Sequence, residues 1–424
     1  MLLSFFVKFG QNGTCNPPWH MLNCLSKENK CPYFTDTDME DKMKVAVLGF
    51  GTVGAGIYEM LAGAKGLEQG PVLVRPGKDD APFKRTSMEA ILAEPGVEAV
   101  AEAMGGIEPA FSYAIAALKA GKHFVTSNKA LVAAHGIELA AAARERGVGF
   151  LFSAACGGGM PFLHNLSIAV ESDRIVSMGG ILNGTTNYML DAMQRRSLGY
   201  AEALSDAQRL GYAEADPSAD VSGLDALRKI VLSAAVGYDL LPVEGLCHEG
   251  IESITAADVK RIQARGLTCR LMAKCGPVAG GKVYAYVEPV LLPASAPECS
   301  VLDNYNMARY EGKCAGPMVF MGQGAGRWPT ASAVLRDLDC ILKGRLHMLS
   351  TACREGSADN SACCHSYYVR LPSSLAGCFE AKSYSEYDGV SELITKPMSV
   401  KAMHELAARL RSEGASLFFA ALED

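Results

Sequence analysis

The stretch Lys44-Val45-Ala46-Val47-Leu48-Gly49-Phe50-Gly51-Thr52-Val53-Gly54 decides the fold. An apolar run ends at Gly49, and helical spacing follows from Val53 to Leu61. A Gly-x-Gly-x-x-Gly that follows a strand and opens a helix is a dinucleotide-binding turn; elsewhere it is only a glycine-rich turn. Gly49 allows the tight turn, Gly51 leaves room for a pyrophosphate, and Gly54 lets the helix close on the strand. Phe50, Thr52 and Val53 belong to the same cofactor-binding turn. The helix N-terminus then offers unpaired N–H groups and partial positive charge to the phosphates.

Downstream, strand and helix text alternates. Val72–Val74 reads as a strand, Met88–Leu92 as a helix, Val97–Ala103 as a strand and Ala110–Ala120 as a helix. His123–Thr126, Ile137–Arg146 and Gly149–Ser153 continue as strand, helix and strand. That order predicts a parallel, doubly wound Rossmann sheet. Upstream, residues 1–42 carry Cys15, Cys24, Cys31 and the pair Pro17-Pro18 without periodicity, so they read as a disordered or non-native extension outside the fold.

After Gly159 the character changes to α+β. A strand is expected at Ile175–Leu182, helices at Tyr188–Arg196, Tyr200–Leu210 and Leu224–Val236, and an alternating strand at Val283–Val290. Gly322–Leu342 reads as a glycine-rich loop and a helix. Beyond Gly344 come strands at Tyr367–Leu371, Ser391–Thr395 and Ser416–Ala421. A helix there places Met403, Leu406, Ala407 and Leu410 on one face. The expected organisation is a nucleotide-binding Rossmann domain from residues 43–165 with 322–343. A catalytic and dimerisation domain would occupy 166–321, and a small α+β module, dispensable for chemistry, 344–424.

The whole chain sets limits on function. Of its 424 residues, 49% are hydrophobic and 20% charged, with a net charge of −6. Nucleic acid and anionic membranes call for a basic surface, so neither is the expected partner. Leu2–Val7 is far shorter than the ~20 apolar residues of a membrane span, and no cleavage site follows it. A cytoplasmic protein is expected. The 14 cysteines include no Cys-x-x-Cys pair. Adjacent Cys363, Cys364 and His365 read better as reduced residues than as metal ligands.

Four further places carry chemistry. Arg75 follows the second strand, where an NAD enzyme usually has an acid for the ribose 2′-hydroxyl; a cation there favours NADP, with NAD still open and a solvated loop cation as the plain alternative. Lys129, in Thr126-Ser127-Asn128-Lys129, stands at the C-terminal edge of the sheet, where ligands bind in such folds. The run from Gly211 to Lys229 holds Glu214, Asp216, Asp220 and Asp225. Asp225 and Lys229 share a helix face at i, i+4, as surface ion pairs also do. Acids beside a lysine suit a substrate with a cationic amine and a hydroxyl that must lose a proton. Two neighbouring lysines are also expected to lower each other's pKa. Finally, Ser153-Ala154-Ala155-Cys156-Gly157-Gly158-Gly159-Met160 exposes backbone to a ligand or ion. Cys156 there could be a nucleophile toward an aldehyde or a small inert core residue. A non-catalytic NAD(P)H sensor is a third class, but it would need no such acids and lysine.

The ordered set resembles the homoserine dehydrogenase family. It comprises Leu48-Gly49-Phe50-Gly51-Thr52-Val53-Gly54, Met104-Gly105-Gly106-Ile107-Glu108-Pro109, Ser127-Asn128-Lys129-Ala130-Leu131, Leu182-Asn183-Gly184-Thr185-Thr186-Asn187-Tyr188, the Glu214–Lys229 run, and Gly324-Ala325-Gly326 before Pro329-Thr330-Ala331. The likeness spans about Met43 to Leu342. It implies reversible NAD(P)H-dependent reduction of L-aspartate 4-semialdehyde to L-homoserine. It implies Lys229 as proton donor and acceptor, assisted by Lys129, which also touches the nicotinamide end. Glu214, Asp225 and Asp220 would bind the substrate. Gly49–Gly54, Arg75, Gly105, Gly211, Gly324 and Gly326 would contact the cofactor. A sodium ion on the backbone carbonyls of Ser153, Cys156, Gly158 and Met160, and a homodimer or homotetramer, are also implied. The family usually has Glu where Ser153 stands and Asp where Pro76 stands. The C-terminal text is similar, faintly, to an ACT-like module.

Overall fold

The computed structural model describes residues 42–77 and 81–423. The extension read over residues 1–42 therefore lies outside the described residues, apart from Lys42, as does Lys78 beside Arg75. The first part comprises β1 (Met43–Leu48), α1 (Thr52–Leu61), β2 (Leu67–Leu73), β3 (Lys84–Arg85) and α2 (Met88–Leu92). It continues with β4 (Val97–Glu102), α3 (Ala110–Lys119), β5 (His123–Thr126), α4 (Lys129–Glu145) and β6 (Phe150–Leu151). These strands form a six-stranded sheet in the order β3-β2-β1-β4-β5-β6, and the pairs are parallel. That is the doubly wound Rossmann order, with the C-terminal ends of β1, β4 and β5 at its crevice. Helix α4 starts at Lys129, well ahead of the helix expected from Ile137. Asn128 caps it, accepting from the Leu131 N–H at 3.1 Å, and Leu131, Val132 and Leu139 bury one face.

The next elements are α5 (Phe162–Ala169), β7 (Ile175–Ile181), α6 (Gly184–Arg196), α7 (Tyr200–Arg209), α8 (Ser218–Val221) and α9 (Leu224–Tyr238). Then come β8 (Leu240–Glu244), β9 (Cys247–His248), α10 (Ala256–Ala264), β10 (Leu267–Val278), β11 (Lys282–Pro293), β12 (Tyr305–Gly312), β13 (Gly316–Gln323) and α11 (Arg327–Leu342). The chain ends in β14 (Arg354–Ser357), β15 (Cys364–His365), β16 (Tyr367–Pro372), β17 (Ala381–Tyr387), β18 (Val390–Thr395), β19 (Met398–Ser399), α12 (Val400–Ser412) and β20 (Phe418–Leu422).

A ten-stranded sheet runs β13-β12-β7-β10-β11-β20-β16-β18-β17, with β9 also paired to β11. The C-terminal strands are thus not a detached module: β20 pairs in parallel with β11, Val290 opposite Ala421 and Leu291 opposite Leu422. Helix α12 turns its apolar stripe onto this sheet. Met403, Ala407 and Leu410 pack in one core with Met272, Val290, Leu292 and Met307 of the catalytic strands. Three charged contacts reinforce the junction: Arg370 with Asp258, Arg411 with Glu249, and Arg261 with the buried Glu392. Truncation after Lys343 would bare that apolar face, so the dispensability expected above is replaced by its opposite. The truncated chain should come out insoluble or without a cooperative melt, as thermal unfolding will show; a soluble, active fragment would refute this.

Candidate active site

The nucleotide turn has the geometry its glycines require. Gly49 sits at φ +90°. A Cβ on Gly54 would stand 2.0 Å from the Gly49 carbonyl oxygen, whereas a Cβ on Gly51 would meet nothing within 4 Å. Close packing at one glycine and open space at the other are the two conditions for admitting a pyrophosphate. Glu102, fully buried at the end of β4, organises the neighbouring loop. Its carboxylate accepts from the backbone N–H groups of Met104 at 2.6 Å and Gly105 at 3.2 Å. It also accepts from the Thr126 hydroxyl, and Thr126 Oγ1 in turn accepts from the Asn128 N–H at 2.9 Å. This one carboxylate ties the loops after β4 and β5 together, directly before Lys129.

Helix α4 packs against α9, which brings Lys129 to Asp225. Lys129 Nζ lies 3.0 Å from Asp225 Oδ1 and Lys229 Nζ 2.7 Å from Asp225 Oδ2. Lys229 also donates to the Leu182 carbonyl at 2.6 Å. Asn183, the cap of α6, donates through Nδ2 to Asp220 Oδ1 at 2.7 Å and to Asp225 Oδ2 at 2.9 Å. Thr185 Oγ1 donates to the Tyr212 carbonyl, fastening the Gly211–Pro217 loop beside Asp220.

Burial alone would discharge both Asp225 and Lys229, and it is the largest influence on each. For Asp225 it is overcome by the ammonium groups of Lys229 and Lys129, which hold the carboxyl well below its ordinary range. For Lys229 it is overcome by the Asp225 carboxylate, so its pKa is raised. The expected mutual lowering of two lysines does not hold for Lys229, because an anion stands between them. Asp220 moves the other way: burial pushes its carboxyl up.

Not every expected residue joins this cluster. Glu214 is exposed, and among the described residues its side chain has no hydrogen bond or ion pair. Gly211 is likewise exposed, at φ +76°. Arg75 is exposed just past β2. Gly324 is packed against Asn306 and Gly158, and Gly326, at φ +117°, opens α11. Cys156 is fully buried, and burial pushes its thiol up to about 11. A thiol so held offers little thiolate at neutral pH, which speaks against the nucleophile alternative and for the inert core residue. Asn183 and Glu102 were given no role from sequence. A carboxylate closing an apolar strand was the available signal for Glu102.

The loop from Ser153 to Met160 presents oxygen atoms. Among the described residues the carbonyls of Cys156, Gly158 and Met160 accept no hydrogen bond, while that of Ser153 accepts weakly from the Cys156 N–H at 3.4 Å. The buried Ser153 hydroxyl has no partner either, and the Ser153 N–H donates to the buried Asp337 at 2.7 Å. Free carbonyls fit a hard cation. No group of three or more His, Cys, Asp or Glu side chains among the described residues could hold a metal, Cys363, Cys364 and His365 included.

Comparison with known proteins fits this geometry. Residues 49–153 match the family model described as "Homoserine dehydrogenase, NAD binding domain", and residues 161–338 the model "Homoserine dehydrogenase". The homoserine dehydrogenase of Corynebacterium glutamicum is 41% identical over 322 residues, 72% of each chain. The crystal structure of a homoserine dehydrogenase from Thiobacillus denitrificans superposes with a TM-score of 0.79 at 28% identity, over 90% of this chain and 98% of that one. A hyperthermophilic archaeal homoserine dehydrogenase solved in complex with NADPH gives 0.61 at 26% identity, over 72% and 98%. With a Rossmann turn, a buried two-lysine carboxylate cluster and relatives at this identity, the chain belongs to the homoserine dehydrogenase family, NAD(P)-dependent oxidoreductases that interconvert L-aspartate 4-semialdehyde and L-homoserine.

Proposed function

We propose that Lys229 is the proton donor to the substrate oxygen and that Lys129 assists it at the nicotinamide end. The observation that carries this is one buried carboxylate, Asp225, holding two ammonium groups beside the crevice of a nucleotide sheet. The bound nicotinamide would supply the hydride to the carbonyl carbon. Lys229, kept as an ammonium, would give its proton to the oxygen as negative charge develops there. Asp225 and Asp220 would orient the amino-acid end of the substrate, and Glu214 on the exposed loop would meet its ammonium. The test is turnover of the purified chain with L-homoserine and either NAD⁺ or NADP⁺, read at the nicotinamide absorbance; no turnover with either would overturn the assignment.

NADP(H) is the proposed cofactor, and the archaeal relative solved with NADPH supports it. Contacts would come from Gly49–Gly54, Gly105, Gly211, Gly324, Gly326 and Arg75. Arg75→Ala should weaken NADPH binding by about tenfold, the scale of one lost charge-assisted contact, and leave NADH nearly unchanged. Equal losses in the two titrations would assign Arg75 another role.

A sodium ion would sit on the carbonyls of Ser153, Cys156, Gly158 and Met160 and pin the loop between β6 and α5. The free cysteines among the described residues support a reducing, cytoplasmic setting. No helix among the described residues is long and apolar enough to cross a membrane. Residues 344–424 read as ACT-like. Their order β20-β16-β18-β17, with α12 between β18 and β20, supports a ferredoxin-like arrangement whose first helix is reduced to the 3₁₀ turn Ser373–Cys378. The assembly is proposed to be a dimer or tetramer. Edge strand β13 exposes Met318, Val319 and Met321, and such an edge seeks a second copy. Val319→Glu with Met321→Glu should yield monomers by light scattering; an unchanged mass would exclude this surface.

A further inference from the structure

Helix α12 reaches toward the active-site carboxylates through a side-chain clamp on Glu249; its His404 also meets Glu288 of β11 at 3.0 Å. In its last turn Arg411 grips Glu249 with both guanidinium nitrogens, each 2.7 Å from a different carboxylate oxygen. Glu249 is nearly enclosed, with its side chain 11% exposed. The backbone beside it is fixed on both sides. The Glu249 N–H donates to the Val287 carbonyl of β11 at 2.8 Å, and the Ile251 N–H donates to the Val221 carbonyl of α8 at 2.8 Å.

Between them Gly250 lies in backbone contact with the α8–α9 turn. A Cβ there would stand 2.0 Å from the Val221 oxygen and 2.6 Å from Ser222 Cα. From the other side, a Cβ on Gly223 would stand 3.0 Å from the Glu249 oxygen. Gly223, at φ +83°, is the residue from which α9 starts, and its N–H donates to the Asp220 carbonyl at 3.0 Å. The turn against which residues 249–251 press therefore has Asp220 at its entrance and Asp225 at its exit.

We propose that Glu249 is a positioning residue for Asp220 and Asp225, held in place by Arg411 from the C-terminal part of the chain. This rests on the reading that those two aspartates orient the substrate. When Arg411 is absent, an enclosed carboxylate loses its only ion-pair partner among the described residues. It must then turn toward water to recover hydration, and the segment 249–251 moves with it. Val221–Gly223 lose their backing, and the two aspartates lose their fixed spacing. The cofactor turn, on a different sheet, is untouched.

Steady-state kinetics on the full chain, with homoserine and NADP⁺ varied separately, test this. Arg411→Ala and the isosteric Glu249→Gln should each raise the homoserine KM by about 5- to 10-fold, as expected for a coupling of this kind. The NADP⁺ KM should stay within about twofold in both, because among the described residues neither Arg411 nor Glu249 contacts Gly49–Gly54, where most of the cofactor binding would lie. The double variant should be no worse than either single one. Arg411→Lys should recover only part of the loss, since an ammonium cannot hold both oxygens in a planar fork. A lowered melting temperature with an unchanged homoserine KM would make the clamp merely structural and overturn the proposal. Asp220→Asn separates the two claims. A raised homoserine KM there, with none in the Arg411 and Glu249 variants, overturns the clamp alone; an unchanged KM in Asp220→Asn overturns the reading beneath it as well.

Discussion

Lys229→Ala should lower kcat by at least ~10² in both directions, the scale of a lost general acid–base. Cofactor affinity should barely move, because Lys229 lies on α9, away from Gly49–Gly54. The raised pKa of Lys229 adds a directional test. Reduction uses the ammonium, which is present throughout the neutral range. Homoserine oxidation needs the neutral amine, so its kcat should climb with pH toward and beyond the ordinary lysine value of about 10.4, while kcat for reduction should stay level over the neutral range. Lys229→Arg should rescue little, since guanidinium keeps the charge but does not readily give up a proton. Near-full activity in the arginine variant would pass the proton role to Lys129 or to water.

Asp225→Ala should be the most damaging single change to stability in this cluster. It leaves the buried Lys229 without its anion and with Lys129 nearby, and breaking a buried pair from one side costs about 3–5 kcal/mol. Chemical denaturation should register that loss, and activity should fall with it. The sign against pH follows from the two shifts. Asp225 is depressed, so its contribution is complete above the ordinary aspartate value of about 3.9 and is lost as pH falls through its lower folded value. Lys229 is raised, so its contribution is complete below about 10.4 and is lost only above that. The difference in stability between wild type and Asp225→Ala should therefore hold steady across the neutral range and shrink toward strong acid. A variant as stable as wild type at neutral pH would mean the lysines find other partners.

What could be read in advance followed the reach of each signal. The turn at Gly49–Gly54 and the i, i+4 pair Asp225–Lys229 are local, and their geometry follows from the chain alone. Lys129 was visible because the end of a parallel strand is a place with chemical meaning. Asn183 lies within a recognisable motif, but its double donation joins residues 37 and 42 positions away, a distance no periodicity encodes. The strand β10 escaped notice because much of it is buried on both faces, which erases the alternation that marks a half-exposed strand; β12 does alternate, but its buried face is Asn306, Ala308, Tyr310 and Gly312, too poor in large apolar residues to read as a strand. The C-terminal strands β16, β18 and β20 are legible in the sequence. That they continue the catalytic sheet depends on a register between Val290 and Ala421, and such pairings are set by the assembled core.

The place of β20 has a consequence for biosynthesis. It lies between β11 and β16, so the two groups of strands meet across its residues. Yet it is the last strand of the described chain to leave the ribosome. At roughly 5–20 residues per second, β7 to β13 wait through the translation of about a hundred further residues before their neighbour arrives. During that interval the open edge of β11 and the apolar face that α12 will cover are available to other nascent chains. The order of synthesis thus leaves this half of the molecule incomplete until β20 has emerged, and until then a chaperone that shields that edge would count most.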